Sequence, residues 1–321
     1  MLKRIAILDD YQGLALELAD WRVLGDAVSV QTFTQPACSE AALVERLRDF
    51  DVIVAMRERT RFPRDVLKAL PRLKMIASTG MRNAAIDSVA CKDLGITLCG
   101  ARGARSGLAG TAETAWAHVL ALRKHLKASH AALQVGRWQP RLAQPLMGQS
   151  LGLIGLGQIG QHMARIGLAF GMDVMAWSPN LTPDKAQPFG VRAVSKKMLL
   201  ESADVLSLHL VLAPTTIDIL SAVDLAAMKP SAILINTSRA ELVNEQALIE
   251  ALQRGVISGA GLDVFWQEPL PTAHPLLSLD NVVLTPHLGY ATDENMAAFY
   301  SHVVRNIQTW MAGGTPPALV A

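Results

Sequence analysis

Three side chains in the last third of the chain have the types that carbonyl reduction needs. They are Arg239 in I-N-T-S-R-A (235–240), Glu268 in G-L-D-V-F-W-Q-E-P (261–269) and His287 in L-T-P-H-L-G (284–289). Histidine suits proton transfer because its unperturbed pKa of about 6.5 lies near working pH. A carboxylate beside an imidazole favours the protonated form, which can deliver a proton to a developing alkoxide. Arginine keeps its charge and grips a carboxylate with a two-pronged fork, so it suits the anchoring of an acidic substrate. Each residue alone also has an ordinary structural explanation. Arg239 can satisfy nearby carboxylates, Glu268 can be a turn residue before Pro269, and His287 can be a packed imidazole at a strand end. The chemistry depends on whether the chain brings the three together.

The elements around them decide that. Short apolar runs alternate with helical stretches, the pattern of parallel strands joined by crossover helices. In the first third, strands are expected at 5–8, 52–55, 75–77 and 96–99, with helices at 41–48, 65–70 and 86–94. The stretch G-A-R-G-A-R-S-G-L-A-G (100–110) lacks periodicity and reads as a linker or hinge. A helix over 111–126 follows, with Thr111 as its expected N-cap. A second alternation places strands at 151–154, 172–177, 205–208, 232–235, 259–262 and 282–284. Arg239, Glu268 and His287 then follow the carboxyl ends of three of these strands, where doubly wound sheets bind their ligands. The chain reads as two α/β units joined near residue 102.

The second unit opens with L-G-L-I-G-L-G-Q-I-G (151–160), a G-x-G-x-x-G directly after an apolar strand and before helical sequence at 161–169. Gly155 permits the tight turn, Gly157 lets the backbone approach a pyrophosphate, and Gly160 allows helix and strand to pack closely. The helix N-terminus supplies N–H groups and a positive dipole end for phosphate. The acid that would bind a ribose 2′-hydroxyl is missing. Its expected position holds Ser178, 178 − 160 = 18 residues after the last glycine, and Asp173 stands at the wrong end of that strand. Serine neither accepts strongly from a 2′-hydroxyl nor repels a 2′-phosphate. NAD and NADP both stay open, with Asn180 and Lys185 as nearby polar candidates and a slight lean to NAD.

Composition narrows the alternatives. The chain has 321 residues, half of them apolar but only 5% aromatic, with a formal charge of +2. That favours buried parallel strands over an aromatic-rich sandwich, and it supplies no strong field for nucleic acid or a membrane surface. The local cluster of Arg57, Arg59, Arg61 and Arg64 reads as a solvated loop, with a small anionic ligand as the other option. Cys38, Cys91 and Cys99 are scattered, without disulfide or metal spacing, which fits a reducing cytoplasm. His118, His125 and His130 lack the i, i+4 spacing of a helical zinc site, so no metal is expected. The uncharged stretch 142–164 holds several Gln and Gly and reads as loop, strand and turn rather than a membrane span.

Taken in order, these motifs resemble the D-isomer-specific 2-hydroxyacid dehydrogenases, a family that includes phosphoglycerate dehydrogenases and glyoxylate/hydroxypyruvate reductases. S-T-G-M-R-N-A-A-I-D (78–87) and T-A-E (111–113) extend the resemblance over nearly the whole chain. It implies two doubly wound parallel-sheet domains: a Rossmann NAD(P)-binding domain over 103–290, and a flavodoxin-like substrate domain from 1–102 plus 291–321. It implies a hydride-transferring oxidoreductase acting on a small 2-keto or D-2-hydroxy acid, commonly a homodimer. His287 would be the general acid or base, Glu268 its partner, and Arg239 the anchor for substrate carboxylate and carbonyl. Gln158 and Ile159 would lie against the pyrophosphate and Ser178 would face the adenosine ribose. Thr237 and Ser238 would line the nicotinamide side, and Asp263 and Gly289 would contact the carboxamide region. The loop around Gly80 would offer N–H groups to the substrate carboxylate. Apart from the resemblance, Arg57 and Arg82 are candidates for a second acidic group on the substrate, with simple solvation as the equal alternative.

The chain departs from the family pattern at Ala240, usually glycine, and at Asn244, commonly aspartate. Glu268 in place of glutamine argues against a formate dehydrogenase. The short stretch after His287 leaves no room for an added regulatory domain of the kind some phosphoglycerate dehydrogenases carry. A non-enzymatic dinucleotide-sensing protein on the same scaffold is the alternative, and turnover of 2-keto acids separates the two.

Overall fold

A computed structural model of the chain describes residues 3–319. The chain divides into two compact units, one of residues up to Ser106 together with those from Thr292 onward, the other Gly107–Ala291.

The first unit is built on strands β1 (Lys3–Ile7), β2 (Val28–Thr32), β3 (Val52–Met56), β4 (Met75–Thr79) and β5 (Thr97–Ala101). They pair in parallel in the order β2-β1-β3-β4-β5, the flavodoxin-like arrangement. Every residue of β3 (V-I-V-A-M) and β4 (M-I-A-S-T) is buried, as expected of parallel strands covered on both faces. The helix Asp293–Met311, capped by the Thr292 side chain accepting from the Asn295 amide, returns the chain to this unit and packs against β4 and β5. Strand β2 is absent from the sequence reading. Its V-S-V-Q-T is an edge strand with alternating, half-exposed residues, too short and mixed to register as a buried run.

The second unit holds β6 (Ser150–Ile154), β7 (Asp173–Trp177), β8 (Arg192–Ala193), β9 (Val205–Leu208), β10 (Ile233–Asn236), β11 (Gly259–Leu262) and β12 (Val282–Leu284). Their order is β12-β11-β10-β9-β6-β7-β8, all neighbours parallel. Counted within the unit from β6 as first, this is 3-2-1-4-5-6 with a seventh strand added, the Rossmann order with its reversal between β6 and β9. Register decides what gathers at the carboxyl edge. Ile154, Leu208, Asn236, Leu262 and Leu284 are successive partners across β6, β9, β10, β11 and β12. The next residue of each strand, namely Gly155, His209, Thr237, Asp263 and Thr285, therefore starts a loop on one common rim.

One expected boundary is corrected. The helix begins at Ser106 and ends at Arg123, so Thr111 is internal rather than its N-cap, and 106–110 is helical rather than linker. Gly107 and Gly110 are buried in it, so small size at a packed face outweighs their low helix propensity. The Thr111 hydroxyl donates back to Gly107 O at 3.1 Å and to Gly289 O at 3.0 Å, a use that competes with capping. A second helix, Leu126–Gln134, follows a break at His125, whose φ of +51° is left-handed.

Candidate active site

His287 sits just past β12 with φ +54°, a conformation that costs an ordinary residue about 1–2 kcal/mol. The surrounding turn is held by one carboxylate. Asp263, fully buried after β11, accepts from Leu288 N at 2.7 Å and Thr285 Oγ1 at 2.5 Å on Oδ1. On Oδ2 it accepts from Gly289 N at 2.8 Å. Bonds to a charged acceptor contribute about 1.5–3 kcal/mol each, so three of them more than offset the strain at His287. Gly289 is buried, and a Cβ there would stand 3.1 Å from Asp263 Oδ2, so a side chain would press on the carboxylate that holds the turn.

Glu268 meets His287, with Oε2 2.7 Å from Nδ1. Its other oxygen accepts from Phe265 N at 3.1 Å, which aims the carboxylate and leaves one oxygen for the imidazole. Nδ1 then carries the donated proton, and Nε2 is the nitrogen presented outward. The side chains are 17% and 23% exposed, sheltered but reachable. Tyr290 stacks edge-on to the imidazole, centroids 5.4 Å apart at 84°, and limits its rotation.

Arg239 follows β10 and is half-buried, its Nη1 donating to Ser238 O at 2.7 Å. Its backbone is set by Asn236, whose Nδ2 donates to Arg239 O at 2.8 Å and whose Oδ1 accepts from Ser238 N at 3.0 Å. Ala240 is buried. Asn244 caps the helix Glu245–Gln253 by accepting from Ala247 N, a role that the more common aspartate would fill equally well. The rim thus carries a fork-shaped cation and an imidazole with a carboxylate behind it, following the neighbouring strands β10, β11 and β12, with the Gly155 turn after β6 on the same edge of the sheet.

The glycine turn fits a dinucleotide. Gly155 has φ +103°, and a Cβ there would stand 2.5 Å from His209 O. A Cβ on Gly160 would run into the Gly155 carbonyl oxygen, whereas one on Gly157 would meet open space. The first position therefore shapes the turn, the third packs helix on strand, and the second leaves an approach. The helix Gln158–Ala169 starts at Gly157 without a side-chain cap, so its first N–H groups lack intrahelical partners and face an incoming anion. Gln158 is exposed and Ile159 half-buried at that end. Thr237 Oγ1 on the rim is buried without a partner, an orphan that a ligand's polar group would satisfy. Ser238 is different: its hydroxyl donates to Leu210 O at 2.6 Å. Ser178 is half-exposed one residue after β7, and Lys185 Nζ is already directed to Asn180 O at 3.1 Å.

Residues in the first unit are placed by themselves. Gly80 has φ +97°, and its amide donates to Ala101 O at 2.6 Å, so its own N–H is spent and its contribution is to the turn. The Arg57 guanidinium lies directly over it, where a Gly80 side chain would collide with Nη1. Arg82 is exposed. Sequence reasoning missed Thr285, although it lies in the quoted L-T-P-H-L-G, and it left His118 as an ordinary helix residue. His118 is buried with Nε2 2.9 Å from Thr285 Oγ1. Among the described residues no group of three or more His, Cys, Asp or Glu is placed to hold a metal ion. No helix among them is long and apolar enough to cross a membrane.

Comparison with known proteins bears on the same segments. Residues 116–289 match the family model described as D-isomer specific 2-hydroxyacid dehydrogenase, NAD binding domain. A D-3-phosphoglycerate dehydrogenase of Methanocaldococcus jannaschii is 35% identical over 91% of this chain, which spans only 55% of that protein's length. A glyoxylate reductase of Korarchaeum cryptofilum is 33% identical, with 88% of this chain and 86% of that one covered. The crystal structure of a phosphoglycerate oxidoreductase from Vibrio cholerae o395 superposes with a TM-score of 0.91 at 37% identity, covering 98% of this chain and all of that one.

Proposed function

Because the chain belongs to the D-isomer specific 2-hydroxyacid dehydrogenase family of oxidoreductases, we propose that it interconverts a small 2-keto acid and its D-2-hydroxy acid. The observation that carries this is the 2.7 Å pair of His287 and Glu268 on the same rim as Arg239 and the glycine turn. Arg239 holds the substrate carboxylate and polarises the carbonyl; its fork suits both. His287 protonates the carbonyl oxygen from Nε2 in reduction and removes that proton in oxidation, with Glu268 stabilising the charged ring. A bound nicotinamide supplies or takes the hydride. Gly155, Gly157, Gln158, Ile159 and Gly160 hold the pyrophosphate, Ser178 faces the ribose, and Thr237, Ser238, Asp263 and Gly289 frame the nicotinamide. NAD is preferred over NADP in this reading, since the nearby Lys185 is engaged with Asn180 O and no arginine follows Ser178.

The relatives' names point to glyoxylate, hydroxypyruvate and the phosphoglycerate oxidation product as the substrates to test. A panel of 2-keto acids assayed with NADH and NADPH decides the matter. Steady turnover of at least one supports the proposal. Intact cofactor binding with no turnover across the panel would instead favour a dinucleotide sensor. A homodimer is proposed as well, supported by the exposed apolar side chains of Leu126, Leu133, Val135, Trp138 and Leu142 on one stretch. Sedimentation of the purified protein tests it. The three free cysteines fit a cytoplasmic location.

A further inference from the structure

The helix Ser106–Arg123 carries a histidine that the proposed chemistry does not use. His118 is 1% exposed, and Gly261 on β11 makes room for it: a Cβ at Gly261 would stand 2.5 Å from His118 Cβ. Its Nε2 lies 2.9 Å from Thr285 Oγ1, which lies 2.5 Å from Asp263 Oδ1. The direction of both bonds is forced. Asp263 already accepts from the Leu288 and Gly289 amides, and it takes the single Thr285 hydroxyl proton as well. The hydroxyl then turns a lone pair to His118, so Nε2 must carry the imidazole proton. Nδ1 is left bare, buried and without a partner, a penalty that leucine in the same space would not incur. Burial pushes the His118 pKa down, opposed by the Asp263 charge facing it, which keeps the ring neutral with one proton to place.

We infer that His118 is a positioning residue for proton transfer by His287: its Nε2–H locks the Thr285 hydroxyl onto Asp263 and so fixes the turn 285–289 that holds His287 in its left-handed conformation. The inference rests on the reading of His287 as general acid and base. Gln at position 118 can place an amide N–H where Nε2–H stands, whereas Leu fills the space without a donor. His118→Leu is expected to lower kcat on the best keto acid about tenfold, with KM changed less than about twofold. His118→Gln is expected to recover most of the loss. A purely structural role would leave the two variants alike.

Wild-type kcat in His118→Leu, or His118→Gln no better than His118→Leu, would overturn the inference. Should the leucine variant not fold, Thr285→Val against Thr285→Ser makes the same comparison from the other side of the bond. Valine is expected to reproduce the fall and serine to spare it, and equal rates would refute the lock. His287→Gln separates the two levels of the argument. If it is inactive while His118→Leu and Thr285→Val turn over normally, only the positioning role fails. If His287→Gln keeps its turnover, the acid–base reading fails and takes this inference with it.

Discussion

Replacing Glu268 with glutamine removes a charge and changes almost no volume. The native carboxylate accepts at both oxygens, from Phe265 N at 3.1 Å and from His287 Nδ1 at 2.7 Å. An amide offers one acceptor and one donor group. If its oxygen stays on the Phe265 amide, its NH2 confronts Nδ1, and a protonated imidazole finds no acceptor there. If it flips, its NH2 meets the Phe265 N–H, donor against donor. One bond is lost in either orientation, and the charge-assisted one is of a class that contributes about 1.5–3 kcal/mol. Expressed in the transition state at about 1.36 kcal/mol per decade, this amounts to roughly 10- to 160-fold in kcat/KM. The assay is initial-rate NADH oxidation with glyoxylate and hydroxypyruvate at several pH values, beside His287→Gln. The histidine variant is expected to fall further, by about 10²–10⁴-fold in kcat, with cofactor binding retained. Wild-type kcat/KM in Glu268→Gln at every pH would refute the argument that the carboxylate charge matters to the imidazole.

Two further outcomes follow from the second unit. Gly160→Ala drives a Cβ into the Gly155 carbonyl oxygen, so the turn must open; dinucleotide affinity measured by calorimetry is expected to drop at least about tenfold, a cost of about 1–3 kcal/mol, and unchanged affinity would show that the turn has slack. His209, bonded to Ser207 Oγ through Nε2 at 2.8 Å, has its pKa lowered by burial to about 3. Between the ordinary value of about 6.5 and that lowered value, the unfolded chain binds a proton that the folded chain refuses, so stability falls as pH falls, by at most about 1.4 kcal/mol per pH unit. The residue as a whole is half-buried, so about 1–2 kcal/mol by pH 5 is expected. His209→Gln should flatten the urea midpoint between pH 7 and pH 5, and parallel profiles would refute it.

Periodicity and punctuation located most of the strands, because buried parallel strands are short apolar runs whose signal is local. They located the glycine turn as well, since G-x-G-x-x-G after a strand carries its own steric meaning. The types of Arg239, Glu268 and His287 already limited the chemistry, and the 2.7 Å pair answers to what an imidazole and a carboxylate do when brought together. The helix start was misread at Thr111, because the buried faces of Gly107 and Gly110 have no local signature.

Strand order and register lay beyond the sequence. Thr285 stands 167 residues from His118 and 22 from Asp263, and no spacing rule links them. They meet because Asn236, Leu262 and Leu284 end in step across adjacent parallel strands, which places Thr237, Asp263 and Thr285 side by side on the rim. A shift of one residue in that register would turn Asp263 to the opposite face of the sheet. Residue types set which reactions the chain is equipped for, and the pairing of β10, β11 and β12 decided which of those residues hold one another in place.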